Sequence, residues 1–284
     1  MATVGRVRAR ASGDLLATTL AALAGCATTP PQVVYEPEAM RAEIARRVGP
    51  GHGTVEIPYE IDPALVELVR EKTRGAPAGR ARLAAIVDAV LVKHDLGVTA
   101  DASRVFEERR GDCISATSLF VGLARAVGME VVFVEAVGIE DVSAEESLDI
   151  YHRHVMAAWG PSPRATLVDF NRIGTEYVRF RVMSDLEALA HFHNTQGYQA
   201  LRRDDLAEAR RRFEIAVALA PELAWARNNL GVALRRTGDL ENAEASFRQA
   251  ISADPAYSSA YANLARLLEG QRRFDEARAM RELA

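Results

Sequence analysis

One thiol, a run of imidazoles and a carboxyl set in an apolar stretch are the groups of this chain whose types and spacing suit acyl-transfer chemistry. Cys113 follows Arg109-Arg110-Gly111-Asp112 and precedes Ile114-Ser115-Ala116-Thr117-Ser118-Leu119-Phe120. Asp112 is a good helix N-cap, and Ala116, Leu119, Phe120, Leu123, Ala124 and Val127 recur at helical spacing until Gly128 stops the pattern. Cys113 is therefore expected in a first helical turn, where unpaired N–H groups and the helix dipole favour an anion and lower a thiol pKa. The same position suits a small, inert, packed cysteine. The local pattern leaves both open.

A thiolate nucleophile needs an imidazole to exchange protons with it and an acceptor to orient that imidazole. Downstream lie Tyr151-His152-Arg153-His154-Val155-Met156-Ala157 and then Thr166-Leu167-Val168-Asp169-Phe170-Asn171. A carboxyl such as Asp169 inside an apolar strand is costly unless partnered. If Trp159 pairs with Arg164 across a four-residue turn, His154 falls opposite Asp169 on one face, with Cβ atoms roughly 5 Å apart. A five-residue turn would put the two on opposite faces.

The elements that must position these groups follow from the rest of the chain. Asp62-Pro63 opens a helix carrying Leu65, Leu68 and Val69 and closed by Gly75. A second helix is expected from Gly79 to His94, with Leu83, Ile86, Val87, Val90 and Leu91 facing a core and His94 packing at its end. A short helix over Asp101–Glu108 precedes the Cys113 helix. Met129 to Val137 is a Val-rich strand, and the acidic stretch Asp141 to Glu146 a loop. Further strands are expected at His152–Trp159, Ala165–Phe170 and Tyr177–Val182, giving helices followed by an antiparallel meander, an α+β domain over residues 58–184.

From about Asp185 the pattern is helical only and repeats every 34 residues. Gly197, Gly231 and Ala265 share one offset, as do Ala209, Ala243 and Ala277, Phe213 and Phe247, and Pro221 and Pro255. This resembles the tetratricopeptide repeat, in which each helix pair needs a small residue where its helices touch and a neighbour for its outer face. The array is assigned to residues 185–284. Arg281 takes the Phe offset in the last repeat, so docking on the preceding domain or a homo-oligomeric contact is expected to complete it. In such arrays the first helix of each pair lines a groove. The resemblance puts Asn194, Thr195, Tyr198 and Arg202, then Asn228, Asn229, Val232, Arg235 and Arg236, then Ala262, Asn263 and Arg266 along it, suited to a peptide backbone or carboxylate. His191 and His193 are expected to face solvent or that groove.

The N-terminus reads as an export signal over residues 1–25. Arg6, Arg8 and Arg10 form a basic region, and Leu15 to Ala24 is an apolar run too short to span a bilayer. Leu23-Ala24-Gly25-Cys26 resembles the bacterial lipobox, which implies a diacylated Cys26 as first mature residue and a membrane anchor. Ala27 after that cysteine implies the periplasmic face of the outer membrane of a Gram-negative bacterium. Residues 26–57 then read as a tether with a helical patch at Pro37–Val48 and a Gly-rich loop around His52, to which no role is given. With only two cysteines in the chain, lipidation of Cys26 leaves Cys113 unpaired, a flag for a reactive thiol.

The 284 residues suit about two domains, and a formal net charge of −4, or −6 once Arg6, Arg8, Arg10 and Asp14 leave with the signal, carries no footprint for nucleic acid. His152 and His154 are too few ligands for a zinc site, and no phosphate-cradling Gly loop is present in the sequence, so no metal and no cofactor is implied.

Cys at a helix start after Gly-Asp, His on one strand and Asp on the next together resemble the transglutaminase-like superfamily of papain-type cysteine hydrolases. The resemblance covers roughly residues 60–183 and includes Gly111-Asp112-Cys113, Leu119-Phe120, Leu123-Ala124-Arg125, Gly128, Arg153-His154 and Val168-Asp169-Phe170-Asn171. It implies Cys113 as nucleophile, His154 as general base and then acid, and Asp169 as the orienting group, in a peptidase or amidase, or alternatively an amide-transferring enzyme or a silent adaptor. His152 is the rival imidazole, and Asn171 the rival orienting group. Met156 stands where an aromatic residue often follows the His. The oxyanion hole would use the Cys113 N–H and a second donor that the sequence does not assign.

Overall fold

The computed structural model describes the backbone of residues 36–90, 93–94, 98–145, 148–160, 165–170 and 179–284, preceded by a two-residue strand pair, β1 (Gly5–Arg6) and β2 (Thr19–Leu20). Side chains are described over 36–90, 98–136, 154–160, 165–170 and 180–284. The chain divides into two compact units. The first is built mainly from Glu56–Ile139 and His154–Ala188, the second mainly from Pro37–Val55 and Leu189–Ala284.

In the first unit, α2 (Pro63–Thr73) starts where the Asp62 carboxylate accepts from the Ala64 N–H at 2.7 Å. α3 (Arg80–Val90) buries Leu83, Ile86, Val87 and Val90. It ends there instead of running to His94. Lys93–His94 is strand β3, paired in parallel with β4 (Arg110–Gly111), so a longer apolar stripe yielded to backbone pairing just ahead of Cys113. Between them α4 (Ala102–Glu108) is capped by Asp101, which accepts from the Arg104 N–H at 2.9 Å. Arg109 then turns the chain in the left-handed region at φ 53°, its guanidinium 4.0 Å from the Phe106 ring centre and donating to the Ala89 carbonyl.

α5 (Cys113–Ala126) is the centre of this unit. Asp112 caps its start through the Ser115 N–H at 2.9 Å. At its end the Gly128 N–H bonds Arg125 O and the Met129 N–H bonds Ala124 O, both at 2.9 Å. This double closure needs a left-handed residue, and Gly128 supplies it at φ 82°. Leu119, Phe120 and Leu123 have no exposed surface, and the Phe120 and Phe170 rings lie 5.7 Å apart. Each such side chain contributes about 1.5–3 kcal/mol by leaving water.

The sheet comprises β5 (Val131–Glu145), β6 (Leu148–Trp159), β7 (Thr166–Val168) and β8 (Arg179–Met183), in the order β7-β6-β5-β8. Three strands meander as expected, but β8 returns to the far edge beside β5, with Val134 opposite Val182 and Glu135 opposite Arg181. Buried Glu135 explains that edge, because Arg181 donates to its carboxylate at 2.6 Å and to Glu187 at 2.5 Å. β5 continues to Glu145, through most of the stretch expected as an acidic loop. Val134, Ala136, Met156, Ala158, Ala165 and Leu167 form one apolar cluster on the sheet.

The second unit contains α6 (Asp185–Arg202, from Leu189 on), α7 (Leu206–Leu219), α8 (Ala224–Arg236), α9 (Leu240–Ala253), α10 (Ser258–Gly270) and α11 (Phe274–Leu283). A Cβ on Gly197 would lie 2.7 Å from the Phe213 ring, and one on Gly231 2.6 Å from the Phe247 ring, which is why the period places glycine there. The turns repeat as well: Asp204, Gly238 and Arg272 all have positive φ, and the N–H groups of Asp205, Asp239 and Arg273 all bond the carbonyl five residues back at 2.9 Å. Within the stretch read as a tether, α1 (Pro37–Val48) belongs to this unit, buries Ile44 and Val48, and reaches the end of α7 through Arg47 donating to Leu219 O at 2.6 Å. The chain thus has the expected fold class, an α+β domain followed by an all-α repeat array.

Candidate active site

Cys113 occupies the first position of α5. Every residue from Ile114 to Ala124 is buried, whereas Cys113 is half-buried, and it is a free thiol. In a helix the first N–H groups have no intrahelical acceptor. Asp112 takes that of Ser115, and Ala116 N–H bonds Asp112 O, so the N–H of Cys113 is among those the helix itself leaves over.

His154 lies midway along β6 and is 8% exposed; Asp169, one residue beyond β7, is 5% exposed. The His154 Nε2–H donates to Asp169 Oδ1 at 2.9 Å. The register that achieves this differs from the expected one. Trp159 pairs with Thr166, Ala158 with Leu167 and Ala157 with Val168, so six residues instead of four separate the innermost pair. Continued one step, that register sets Asp169 across from Met156, a diagonal step from His154. A shift of two residues keeps the face, because side chains alternate with period two, and the imidazole spans the diagonal.

The three groups converge. Burial pushes the His154 pKa down, but hydrogen bonds with Asp169 and Cys113, and the attraction of their negative charges, outweigh it and raise the pKa to about 10. With Nε2 engaged by Asp169, Nδ1 is the nitrogen left to exchange a proton with Sγ.

The start of α5 carries a feature that the sequence showed only in part. Asp112 is 2% exposed, and burial pushes its pKa up to about 6 against hydrogen bonds from Ser115 and Thr99 that lower it. The capping role was legible in the spacing of Asp112 and Ser115. Nothing in the pattern around Thr99, thirteen residues earlier, marks its hydroxyl as the donor to Asp112 Oδ2.

Of the other candidates, Cys26, Asn171 and the side chains of His94 and His152 lie outside the described residues. His52 stands 3.9 Å from Glu214. The expectation for His191 and His193 is corrected. Both are buried, His191 with its ring 4.4 Å from that of Trp225, and His193 accepting from Arg212 at 3.0 Å. The groove assignment of the asparagines is corrected too. Asn194, Asn228, Asn229 and Asn263 are buried and bond one another: Asn229 donates to Asn194 and Asn263 to Asn228, each at 2.8 Å, and Asn228 donates to Asn229 at 3.2 Å. An amide carries both donor and acceptor, so successive helices satisfy each other's asparagines across the repeat. Arg266 donates to Asn263, and Arg236 to Leu201 O and Asp204. Arg202 lies 6.0 Å from the Tyr198 ring, Tyr198 and Thr195 are half-buried, and Arg235 lines a cavity of about 530 Å³ with Asp204, Leu240 and Leu267. Among the described residues no group of three His, Cys, Asp or Glu is placed to hold a metal ion, and no helix is long and apolar enough to cross a membrane.

Comparison with known proteins agrees with these two units. The profile of the transglutaminase-like superfamily matches residues 66–158, which include Cys113 and His154 but stop short of Asp169. Two tetratricopeptide repeat profiles match residues 194–258 and 246–279. A search of curated proteins finds no match. Among solved structures, two crystal structures of MamA are similar at 23% identity and a TM-score of 0.32 each, covering 35% of this chain and 62% and 58% of theirs. The chain thus spans about three fifths of those relatives. It carries a transglutaminase-like domain followed by tetratricopeptide repeats.

Proposed function

We propose that the protein is a cysteine hydrolase, a peptidase or amidase, working through Cys113, His154 and Asp169. The observation that carries this reading is the imidazole of His154, hydrogen-bonded to Asp169 at 2.9 Å and within reach of a half-buried Cys113, with Asp169 first and Cys113 after it raising its pKa. Sγ attacks an amide carbonyl carbon, the C=O electron pair moves onto oxygen, and the Cys113 N–H donates to that oxyanion. The His154 imidazolium gives its proton to the departing amine as the C–N bond breaks, leaving an acyl-thioester. Neutral His154 then takes a proton from water as its oxygen attacks, and the thiolate leaves. An amine taking the place of water would give amide transfer by the same intermediate.

The repeat array is read as binding a protein or peptide, substrate or partner. The lipobox-like sequence ending at Cys26 supports an exported lipoprotein on the periplasmic face of the outer membrane. Palmitate labelling that is lost in Cys26→Ser tests that assignment.

Alkylation by iodoacetamide tests the site. Cys113 should react well below the pH of a free thiol near 8.5, and His154→Ala should abolish the acid reactivity. An ordinary thiol profile that His154→Ala does not alter would leave a catalytically inactive envelope adaptor as the reading.

A further inference from the structure

The first turn of α5 is fastened to a neighbouring segment by buried polar groups that the proposed chemistry does not use directly. Residues 98–100 follow β3, whose parallel pairing with β4 lays them beside residues 112–115. Three contacts join the two segments. The Asp112 N–H donates to Val98 O at 2.9 Å, the Thr99 hydroxyl donates to Asp112 Oδ2, and the Ala100 N–H donates to Ser115 Oγ at 3.1 Å. A fourth closes the ring, from the Ser115 N–H to Asp112 Oδ1 at 2.9 Å. Thr99, Asp112 and Ser115 are 8%, 2% and 0% exposed. Gly111 lets the turn close this tightly, since a Cβ there would meet Ser115 and Val105 at 3.3 Å.

Both oxygens of Asp112 are thereby held, one by the helix and one by the outside segment. The peptide joining Asp112 to Cys113 has its carbonyl carbon in the clamped residue, and its N–H is the oxyanion donor of the proposed reaction. Rotation of that peptide by a few tens of degrees would misdirect the donor while leaving the sulfur beside His154. Resting on the reading of Cys113 as nucleophile, we propose that Thr99 and Ser115 are positioning residues that act through Asp112 to aim the Cys113 N–H at the developing oxyanion. Neither touches the substrate.

Two reagents separate aim from nucleophilicity. Iodoacetamide requires only the sulfur, whereas acylation by p-nitrophenyl acetate also requires the oxyanion donor. On the full chain, Thr99→Val should slow the Cys113-dependent burst of p-nitrophenol about tenfold, with alkylation held within about twofold. Thr99→Ser should restore the burst, and Ser115→Ala should reproduce the Thr99→Val ratio should the latter variant not fold. Burst and alkylation falling together, or a lowered melting temperature with both rates unchanged, would overturn the positioning role alone. A wild-type burst that survives Cys113→Ala would overturn the hydrolase reading and this one with it.

Discussion

His154 bonds Asp169 at 2.9 Å although the two strands are registered so that neither residue stands directly across from the other. The contact depends on parity and on the reach of an imidazole across one diagonal. On the proposed reading, Asp169 orients the imidazole and stabilises its charge. Asp169→Asn keeps the size of the side chain and removes the anion, so the His154 pKa should fall towards the ordinary range. Acylation of Cys113 should slow by about a hundredfold or more. A histidine NMR titration alongside the p-nitrophenol burst measures both, and an unchanged titration would refute the role given to Asp169.

The same contact has a signature in stability against pH. The folded pKa of His154, about 10, lies above the unfolded value near 6.5. The protonated imidazole therefore stabilises the fold fully below pH 6.5, and that contribution is lost as pH rises towards 10. Melting temperature measured from pH 6 to 10 should decline in the wild type, and more shallowly in a Cys113→Ala, Asp169→Asn double variant that no longer holds the charge.

Gly122 is tightly constrained in α5. A Cβ there would sit 2.5 Å from the Tyr59 carbonyl and 2.6 Å from the Ile61 side chain. Backbone cannot yield as a flexible side-chain tip would, so Gly122→Ala should destabilise the first unit by about 1–3 kcal/mol despite its gain in helix propensity. Thermal or urea unfolding checks this, and a neutral or stabilising effect would contradict the packing described.

Removing one amide from the asparagine ladder should strand its neighbour in a buried site. Asn229→Ala leaves Asn194 without the donor at 2.8 Å and is expected to cost about 1–3 kcal/mol. Adding Asn194→Ala should cost less than the sum of the two single changes, a coupling that a double-mutant cycle reads directly. Strict additivity would show that the two amides do not depend on one another.

Much of this was legible in the chain. Asp112, the apolar spacing through Val127 and Gly128 define α5 because capping and closure are local chemistry. The 34-residue period exposes the glycine–phenylalanine contacts because a steric demand recurs with the repeat. Parity placed His154 and Asp169 on one face, but the turn length was not legible, since alternation repeats every two residues and a shift of two leaves no trace in it. The return of β8 to the far edge depends on Glu135 meeting Arg181, a contact between residues 46 apart that no local pattern carries. The asparagines misled for a related reason. A polar side chain at a groove offset looks available until the matching amide of the next helix is seen bonded to it.

Asp204, Gly238 and Arg272 link the two helices of their repeats from the same left-handed backbone, but only the middle one is glycine, which adopts it without penalty. The outer two hold about 1 kcal/mol or more of conformational tension apiece. That strain weakens the first and third turns relative to the middle one, so amide exchange around Asp204 and Arg272 should be faster than around Gly238.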